Sequence, residues 1–219
     1  MGMHIVGSRL YLFASQVFFT AALGPLFLWP KVGGSRPVRS FVAFSFGRLL
    51  APRYSRVISS FGELYGVALD EGLNRAEAVA ESRIGKVIDC GTGTGFAATR
   101  AALRFPEASV IGFDLVTEML EQARSDAARR GLRIAHVRAD ANCLPLADGA
   151  ADLVIAHNTA PFLSEFARVC RRGGVVVFVD SAARWIAPVA RRAAARTGCF
   201  DLVEARQTQS GFFLVARRS

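Results

Sequence analysis

Three glycines recur at alternate positions directly after a short apolar run. The stretch 86–95 reads KVIDCGTGTG, so Gly91, Gly93 and Gly95 follow Asp89. Glycine accepts a positive φ angle and lets a ligand approach the backbone closely. The residues after Gly95 have a helical pattern, and the N-terminus of a helix offers unpaired N–H groups. The spacing predicts a strand, a tight loop and a helix start that together bind a nucleotide-like ligand. A glycine-rich turn of an α/β domain with another role is the alternative.

A second carboxylate follows the glycines at the end of another apolar run. Asp114 closes the sequence SVIGFD, nineteen residues after Gly95. An acid at this point of an α/β domain can accept hydrogen bonds from the two ribose hydroxyls of a bound nucleoside. Alternatively, Asp114 only caps the helix that follows Leu115 and Val116. Because the glycines already predict a nucleotide-like ligand, the ribose role is the interpretation that we favour.

Further polar side chains follow two later apolar runs. His157, Asn158 and Thr159 come after the run 151–156, and open α/β sheets bind their ligands at the carboxyl edge, where such residues lie. Histidine can act as a general base near neutral pH, so His157 is a candidate to deprotonate a phenol or an activated carbon. The alternative is that it only lines the pocket. Asp180 and Ser181 occupy the same edge and are weaker candidates.

These side chains need a sheet to position them, and the chain predicts one. From residue 86 onward, apolar runs alternate with helical patterns, which indicates a mostly parallel sheet. The last two strands are separated only by residues 209–210, which favours an antiparallel hairpin. The predicted strands are 86–90, 109–114, 133–138, 151–156, 174–179, 199–208 and 211–217, and the predicted helices are 62–82, 96–105, 117–130, 162–171 and 184–197.

The glycine stretch resembles the first motif of class I S-adenosylmethionine-dependent methyltransferases: an apolar pair, an acid, any residue and three alternate glycines. The resemblance covers about 83–174, plus the terminal hairpin. Two later stretches carry it, RADANCLPLADGAADLVIAHN at 138–158 and EFARVCRRGG at 165–174. Arg172 stands where this family usually has proline, which concerns the rigidity of that turn. The resemblance implies an α/β, Rossmann-like, seven-stranded, mostly parallel sheet with a C-terminal antiparallel hairpin, and S-adenosylmethionine as the cofactor.

The resemblance also implies roles for individual residues. The glycine loop would wrap the amino acid end of the cofactor, Asp114 would hold the ribose, and Asp140 would accept from the adenine amino group. The cofactor-binding residues so predicted are Asp89, Gly91, Thr92, Gly93, Gly95, Asp114, Leu115, Asp140, Ala141, Asn142 and His157. His157 is the one candidate catalytic residue. Many methyltransferases need no base, since the sulfonium is a good leaving group and proximity supplies much of the rate.

The charge of the chain is unevenly distributed. The 219 residues carry a formal net charge of +9 and are 52% hydrophobic. The first 62 residues contain seven basic residues and no Asp or Glu, whereas the remainder has twenty basic and eighteen acidic residues. Such asymmetry indicates an anionic partner, either a membrane or a nucleic acid. The length suits one α/β domain with an appendage, which we divide as 1–61 and 62–219.

The cysteines argue against some kinds of site. Cys90, Cys143, Cys170 and Cys199 are scattered and form no C-x-x-C pair, so neither a zinc site nor a redox motif is predicted. We therefore predict no metal. A reducing compartment fits such cysteines best.

The N-terminal quarter predicts contact with a membrane. Residues 10–29 are twenty residues without a charge, long enough to cross a bilayer core. They could span the bilayer, lie in its interface, be a cleaved signal or pack as a helix on the domain. The signal reading is poor, because only Arg9 is basic before the run while six basic residues follow it. Positive charge stays inside, which places the catalytic body in the cytoplasm. The basic, apolar stretch 36–61 suits an anionic lipid surface, or a lid over the cofactor site.

The sequence alone leaves three functions open. The first is methyl transfer to a small, lipophilic or membrane-resident acceptor such as a quinol or a phospholipid. The second is an RNA methyltransferase that uses the basic segment on phosphates, although the aromatic residues Phe41, Phe44 and Phe46 favour lipid or core contacts. The third is a membrane-bound S-adenosylmethionine-binding protein without activity. Nucleic acid is the less favoured partner, and the oligomeric state stays open.

Overall fold

Seven strands form one sheet with helices on both faces. The computed structural model describes residues 65–181, 186–209 and 211–219, and the two N-terminal stretches 10–29 and 36–61, like the division at 61/62, lie outside them. The described elements in chain order are α1 (Val67–Val79), β1 (Lys86–Cys90), α2 (Phe96–Arg104), β2 (Ser109–Asp114), α3 (Thr117–Arg129), β3 (Ile134–Arg138), β4 (Ala151–His157), α4 (Leu163–Val169), β5 (Cys170–Asp180), α5 (Ile186–Thr197), β6 (Phe200–Thr208) and β7 (Gly211–Arg218).

The strand order is β3-β2-β1-β4-β5-β7-β6. The pairs from β3 to β5 are parallel, and β7 is antiparallel to both β5 and β6. The predicted α/β sheet with a C-terminal antiparallel hairpin is therefore confirmed. Chain order reverses between β1 and β4, which is the point where open α/β sheets bind ligands at their carboxyl edge.

Successive residues of the central strands serve opposite faces of the sheet. Ile88 and Val154 belong to one apolar cluster, which also contains Phe166 of α4. Val87 and Leu153 belong to the cluster on the other face, with residues from α1 and α2. Strands that are buried on both faces read as continuous apolar runs, which is why the sequence predicted them well.

One element begins earlier than the sequence indicates. The helix expected over 162–171 ends at Val169, and β5 begins at Cys170 instead of 174. Cys170 pairs with Ala151, and the register then shifts so that Val175 pairs with Leu153. Gly173 within the intervening residues has a φ of 71°. A strand that accommodates extra residues in this way shows no simple periodicity in the sequence.

The membrane contact that the sequence predicts concerns the N-terminal quarter, which lies outside the described residues. Within 65–181, 186–209 and 211–219, no helix combines the length and the apolar character needed to cross a bilayer.

Candidate active site

The glycine loop joins β1 to α2 at the carboxyl edge of the sheet. Gly91, Gly93 and Gly95 have φ angles of 71°, 53° and 83°, all in the left-handed region that favours glycine. The Thr92 N–H donates to the Phe113 carbonyl at 2.8 Å, and the Gly95 N–H donates to the Thr92 carbonyl at 2.8 Å. These bonds hold the loop against the end of β2. The predicted strand, glycine turn and helix start are therefore all present.

The three glycines face different surroundings. A Cβ on Gly91 would lie 2.5 Å from the Thr159 hydroxyl, and one on Gly95 would lie 3.0 Å from the Cβ of Ala123. A Cβ on Gly93 would meet none of the described residues within 4 Å. A side chain at Gly91 would therefore clash and one at Gly95 would be tightly packed, whereas Gly93 borders space that the described residues leave open for a ligand.

Asp89 lies fully buried beneath the loop. Its Oδ2 accepts from the Thr92 hydroxyl at 2.6 Å and from the Ala98 N–H at 3.0 Å. Its Oδ1 has no hydrogen-bond partner among the described residues. Burial raises the pKa of Asp89 to about 7, with a smaller contribution from the Asp114 charge, although the two hydrogen bonds oppose this rise. Asp89 thus holds the loop to the start of α2 and retains one buried oxygen without a partner.

Asp114 ends β2 beside the same loop. Its Oδ2 accepts the Gly93 N–H at 2.8 Å, and its Oδ1 accepts the Val116 N–H at 2.9 Å. Burial raises the pKa of Asp114, and these backbone donors oppose the rise. The next residue, Leu115, is half-buried, and its carbonyl accepts from Arg138 Nε at 3.2 Å. The helix-cap alternative for Asp114 is thus partly realised through Val116, while its second oxygen binds the glycine loop.

The turn after β3 carries the predicted adenine-side residues. The Ala139 N–H donates to the Asp114 carbonyl at 3.0 Å, which holds this turn beside β2. Asp140 accepts the Asn142 N–H at 3.0 Å and so stabilises the turn. Ala141 is buried in the apolar core, and Asn142 is exposed. Of these residues, Asp140 and Asn142 present polar groups at this end of the sheet, and Ala141 packs inward.

His157 ends β4 and is buried. Its ring lies 5.6 Å from the Phe96 ring, centroid to centroid, and the Arg100 guanidinium lies 4.9 Å from the same phenyl ring. Burial lowers the pKa of His157 to about 3, and the positive charge of Arg100 adds to the effect. A buried imidazole of such low basicity stays neutral near pH 7 and takes up a proton poorly. Burial and low basicity thus favour the alternative in which His157 only lines the pocket over its role as a general base.

The described residues show no cluster of three His, Cys, Asp or Glu side chains that could hold a metal ion. The groups that the structure does bring together follow the strand order along one edge. They are Asp140 and Asn142 after β3, Asp114 and Leu115 at β2, the loop 91–95 after β1, His157 at β4, and Asp180 and Ser181 at β5.

Comparison with known proteins identifies similar domains and folds. Residues 87–174 match the family model of a methyltransferase domain. A demethylmenaquinone methyltransferase from Thermus thermophilus is 34% identical over 60% of this chain and 62% of its own length. A phosphatidylethanolamine N-methyltransferase from Cereibacter sphaeroides is 34% identical over 58% of this chain and 65% of its own length.

A solved structure shares the fold. The crystal structure of an S-adenosylmethionine-dependent methyltransferase from Aquifex aeolicus superposes with a TM-score of 0.57 at 17% identity, over 74% of this chain and 97% of that one. The chain thus matches a methyltransferase domain over residues 87–174 and has the fold of S-adenosylmethionine-dependent methyltransferases. It spans slightly less than two thirds of the length of the two curated relatives. The cofactor that the domain and the fold imply is S-adenosylmethionine.

The residues of this site fit that cofactor. S-adenosylmethionine carries a sulfonium and an ammonium, and the loop region has two carboxyl groups, one of them with a buried oxygen that lacks a partner among the described residues. Nearby positive charge favours the ionised form of such a group. The open space at Gly93 lets a ligand approach the backbone. The two carboxyl groups and the accessible backbone therefore suit a cationic nucleoside.

Sequence reasoning missed one feature of this site. Asn158 has a φ of 53°, and its side chain joins the loop after β4 to Ser181 after β5. Ser181 was only a weak candidate, and no role was assigned to Asn158. The available signal was that polar residues follow two strands that the topology makes neighbours. That signal does not reveal which of them bond to each other.

Proposed function

We propose that this chain transfers a methyl group from S-adenosylmethionine to a small, lipophilic acceptor such as a quinol or a phospholipid head group. The observation that carries the proposal is the Asp114 carboxylate bonded to the Gly93 N–H at the open side of the glycine loop. Two curated relatives support the acceptor class, since one is named for demethylmenaquinone and the other for phosphatidylethanolamine.

The cofactor residues are proposed as the sequence predicts them, with one refinement. Gly91, Thr92, Gly93 and Gly95 shape the loop, and we assign the cationic end to Asp89, whose Oδ1 is buried and has no partner among the described residues. We assign the ribose to Asp114 and Leu115, and the adenine to the turn 140–142. In that turn Asp140 and Asn142 are the polar contacts, and Ala141 supports them from the core.

The acceptor has to reach its nucleophilic form without a base from the protein. S-adenosylmethionine supplies an electrophilic methyl group on a sulfonium, which leaves as a neutral thioether. His157 stays neutral and buried against Phe96, so it shapes the site. Orientation and exclusion of water then provide the rate enhancement. An acceptor that ionises readily, or an amine, fits such a site.

Membrane association is part of the proposal. The uncharged run 10–29 and the acid-free, basic stretch 36–61 would bring the domain to anionic lipid, with the catalytic domain in the cytoplasm. Each exposed basic residue near anionic lipid adds about 1 kcal/mol. A lipophilic acceptor is dissolved in the same bilayer, so this segment would bring the catalytic domain to its substrate.

The test combines cofactor binding with acceptor screening. Calorimetry should show that the full chain binds S-adenosylmethionine. The methyl-labelled cofactor should then label demethylmenaquinol or phosphatidylethanolamine in anionic vesicles. Absence of cofactor binding would refute the proposal. Binding without transfer to any lipid, quinol or RNA favours the non-enzymatic alternative, and labelling of RNA alone, with affinity falling steeply with salt, favours an RNA methyltransferase.

Vesicle binding tests the membrane part separately. The full chain should sediment with vesicles that contain anionic lipid more than with neutral ones. A variant with Arg39, Arg48, Arg53 and Arg56 replaced by Gln should lose that preference. Equal sedimentation with both vesicle types would contradict the lipid role of this segment.

A further inference from the structure

Asn158 holds an unusual backbone conformation at the carboxyl edge of the sheet. Its φ of 53° is the one positive φ angle of a non-glycine residue in the described part of the chain. Such conformations cost energy, and they persist where the surroundings hold them, often at functional sites. Glycine would adopt this conformation without strain, so what Asn158 adds is its side-chain amide.

The amide makes a two-point contact with the neighbouring loop. Asn158 Nδ2 donates to the Ser181 hydroxyl at 3.0 Å, and the Ser181 N–H donates to Asn158 Oδ1 at 2.7 Å. The Ser181 N–H can meet only an oxygen, which fixes the orientation of the amide. The Asn158 N–H also donates to the Val179 carbonyl at 2.9 Å. The loop after β4 is thus bonded to the end of β5 through both backbone and side chain.

Asn158 is adjacent to His157 on one side and to Thr159, which contacts the glycine loop, on the other. Asn158 Nδ2 lies 3.4 Å from Nε2 of His157. Thr159, the next residue, lies directly against Gly91, where no Cβ would fit. A displacement of Asn158 therefore moves His157 on one side and the glycine loop on the other.

We propose that Asn158 is a positioning residue for methyl transfer: its amide fixes Ser181, directly after β5, relative to the glycine loop, so the acceptor approaches the cofactor along a defined line. This inference rests on the proposed function. Methyl transfer depends on the alignment of the attacking atom, and a displacement of about 1 Å costs on the order of a hundredfold in rate. Asn158 acts through the two loops and is not itself assigned a contact with either reactant.

The first experiment measures the contact without any acceptor. Asn158→Gly keeps the backbone conformation and removes the amide, whereas Asn158→Asp keeps an oxygen for the Ser181 N–H. Hydrogen exchange of the Ser181 amide, followed by NMR, should accelerate about tenfold or more in Asn158→Gly and stay near wild type in Asn158→Asp. Asn74→Ala, a change at an exposed asparagine of α1, is the matched control and should leave this exchange unchanged.

The second experiment measures catalysis and binding together. With demethylmenaquinol or phosphatidylethanolamine, whichever the wild type methylates, kcat/KM for the acceptor should fall about tenfold to a hundredfold in Asn158→Gly. The Kd of S-adenosylmethionine should change less than threefold, and Asn158→Asp should restore part of the rate. Ser181→Ala removes the hydroxyl acceptor but keeps the backbone N–H that donates to Asn158 Oδ1, so it should lose less of the rate than Asn158→Gly. The double variant should be no worse than Asn158→Gly alone.

The outcomes separate the two proposals. Wild type that binds no cofactor or methylates neither lipid refutes the proposed function, while the Ser181 exchange still decides whether Asn158 holds the loops. Unchanged Ser181 exchange in Asn158→Gly, or a rate within twofold of wild type, overturns the role of Asn158. A parallel loss of cofactor affinity also overturns it, since the residue would then support only the cofactor site.

Discussion

The Asp114 carboxylate accepts the Gly93 N–H at 2.8 Å, so the proposed ribose-binding acid also bonds to the glycine loop. A second backbone donor, Val116, reaches its other oxygen. Both carboxylate oxygens thus accept hydrogen bonds from backbone N–H groups, and these bonds join the glycine loop to the end of β2. A ligand that binds Asp114 necessarily contacts a carboxylate whose position is set by the loop.

Replacement of Asp114 should therefore affect both binding and order. Asp114→Asn places an NH₂ group against one of two N–H donors. We expect S-adenosylmethionine affinity to fall at least tenfold by calorimetry. The control is Asp126→Asn, which changes a partly exposed acid of α3 that pairs with Arg129 and Arg130. This variant should bind S-adenosylmethionine normally. Wild-type affinity in Asp114→Asn would remove Asp114 from the cofactor site.

The raised pKa of Asp89 predicts that the free energy of unfolding depends on pH. Its folded-state pKa of about 7 lies above the ordinary value of 3.8, so the folded protein binds more protons than the unfolded chain between these values. Its contribution to the free energy of unfolding therefore falls as pH rises from about 4 to 7, by at most roughly 4 kcal/mol. Asp89→Asn should match wild type in urea unfolding near pH 4 and exceed it near pH 8. A difference independent of pH would contradict the raised pKa.

The pKa of His157 acts in the opposite direction. It is lowered from 6.5 to about 3, so the unfolded chain binds the extra proton and stability from this residue falls as pH drops through that range. The two effects overlap between about pH 4 and 6.5 and partly cancel in wild type. They are separable only by comparing single variants, which is why urea unfolding should be followed for each.

The rate of methyl transfer should not follow the titration of His157. His157→Phe retains an aromatic ring beside Phe96, whereas His157→Ala leaves a cavity. We expect the Phe variant to keep clearly more activity than the Ala variant, with wild type showing no rate change near pH 6.5 from this residue. A greater than hundredfold loss in both variants, with cofactor binding intact, would restore the general-base hypothesis.

Gly91 and Gly93 form a matched pair for testing the loop. Both have positive φ, so alanine costs about 1–2 kcal/mol at either position. Gly91→Ala should cost more stability, because its Cβ overlaps Thr159, and Thr159→Ala should relieve part of that cost. Gly93→Ala has room in the protein itself. A tenfold or larger loss of cofactor affinity there would report direct approach of the cofactor to this backbone, and unchanged affinity would contradict it.

Much of the fold follows from the sequence because the central strands are buried on both faces. The runs at 86–90 and 109–114 coincide with β1 and β2, and the hairpin at the end was predicted from its two-residue link. The start of β5 was not predictable, since the irregular pairing after Cys170 depends on the partner strand β4. Helix ends differ as well: α3 ends at Arg129 instead of 130, and α1, predicted to end at 82, ends at Val79.

The site was predictable as a set of positions and less so as a set of contacts. Alternate glycines demand special backbone angles, so Gly91 to Gly95 could be identified locally. The low pKa of His157 could not be foreseen, because it depends on burial against Phe96 and on Arg100, which is distant in sequence. The bond between Asn158 and Ser181 joins residues 23 apart in sequence, and only the adjacency of β4 and β5 makes it possible.

The place of β7 also has a consequence for the order in which the protein can fold. β7 lies between β5 and β6, yet it follows both in the chain. During synthesis β6 therefore has no strand to pair with until Gly211–Arg218 has emerged, and the apolar edge of β5 stays open meanwhile. An unpaired apolar edge can join other chains. Nascent chains that pause before β7 would be the ones most exposed to aggregation and most in need of a chaperone.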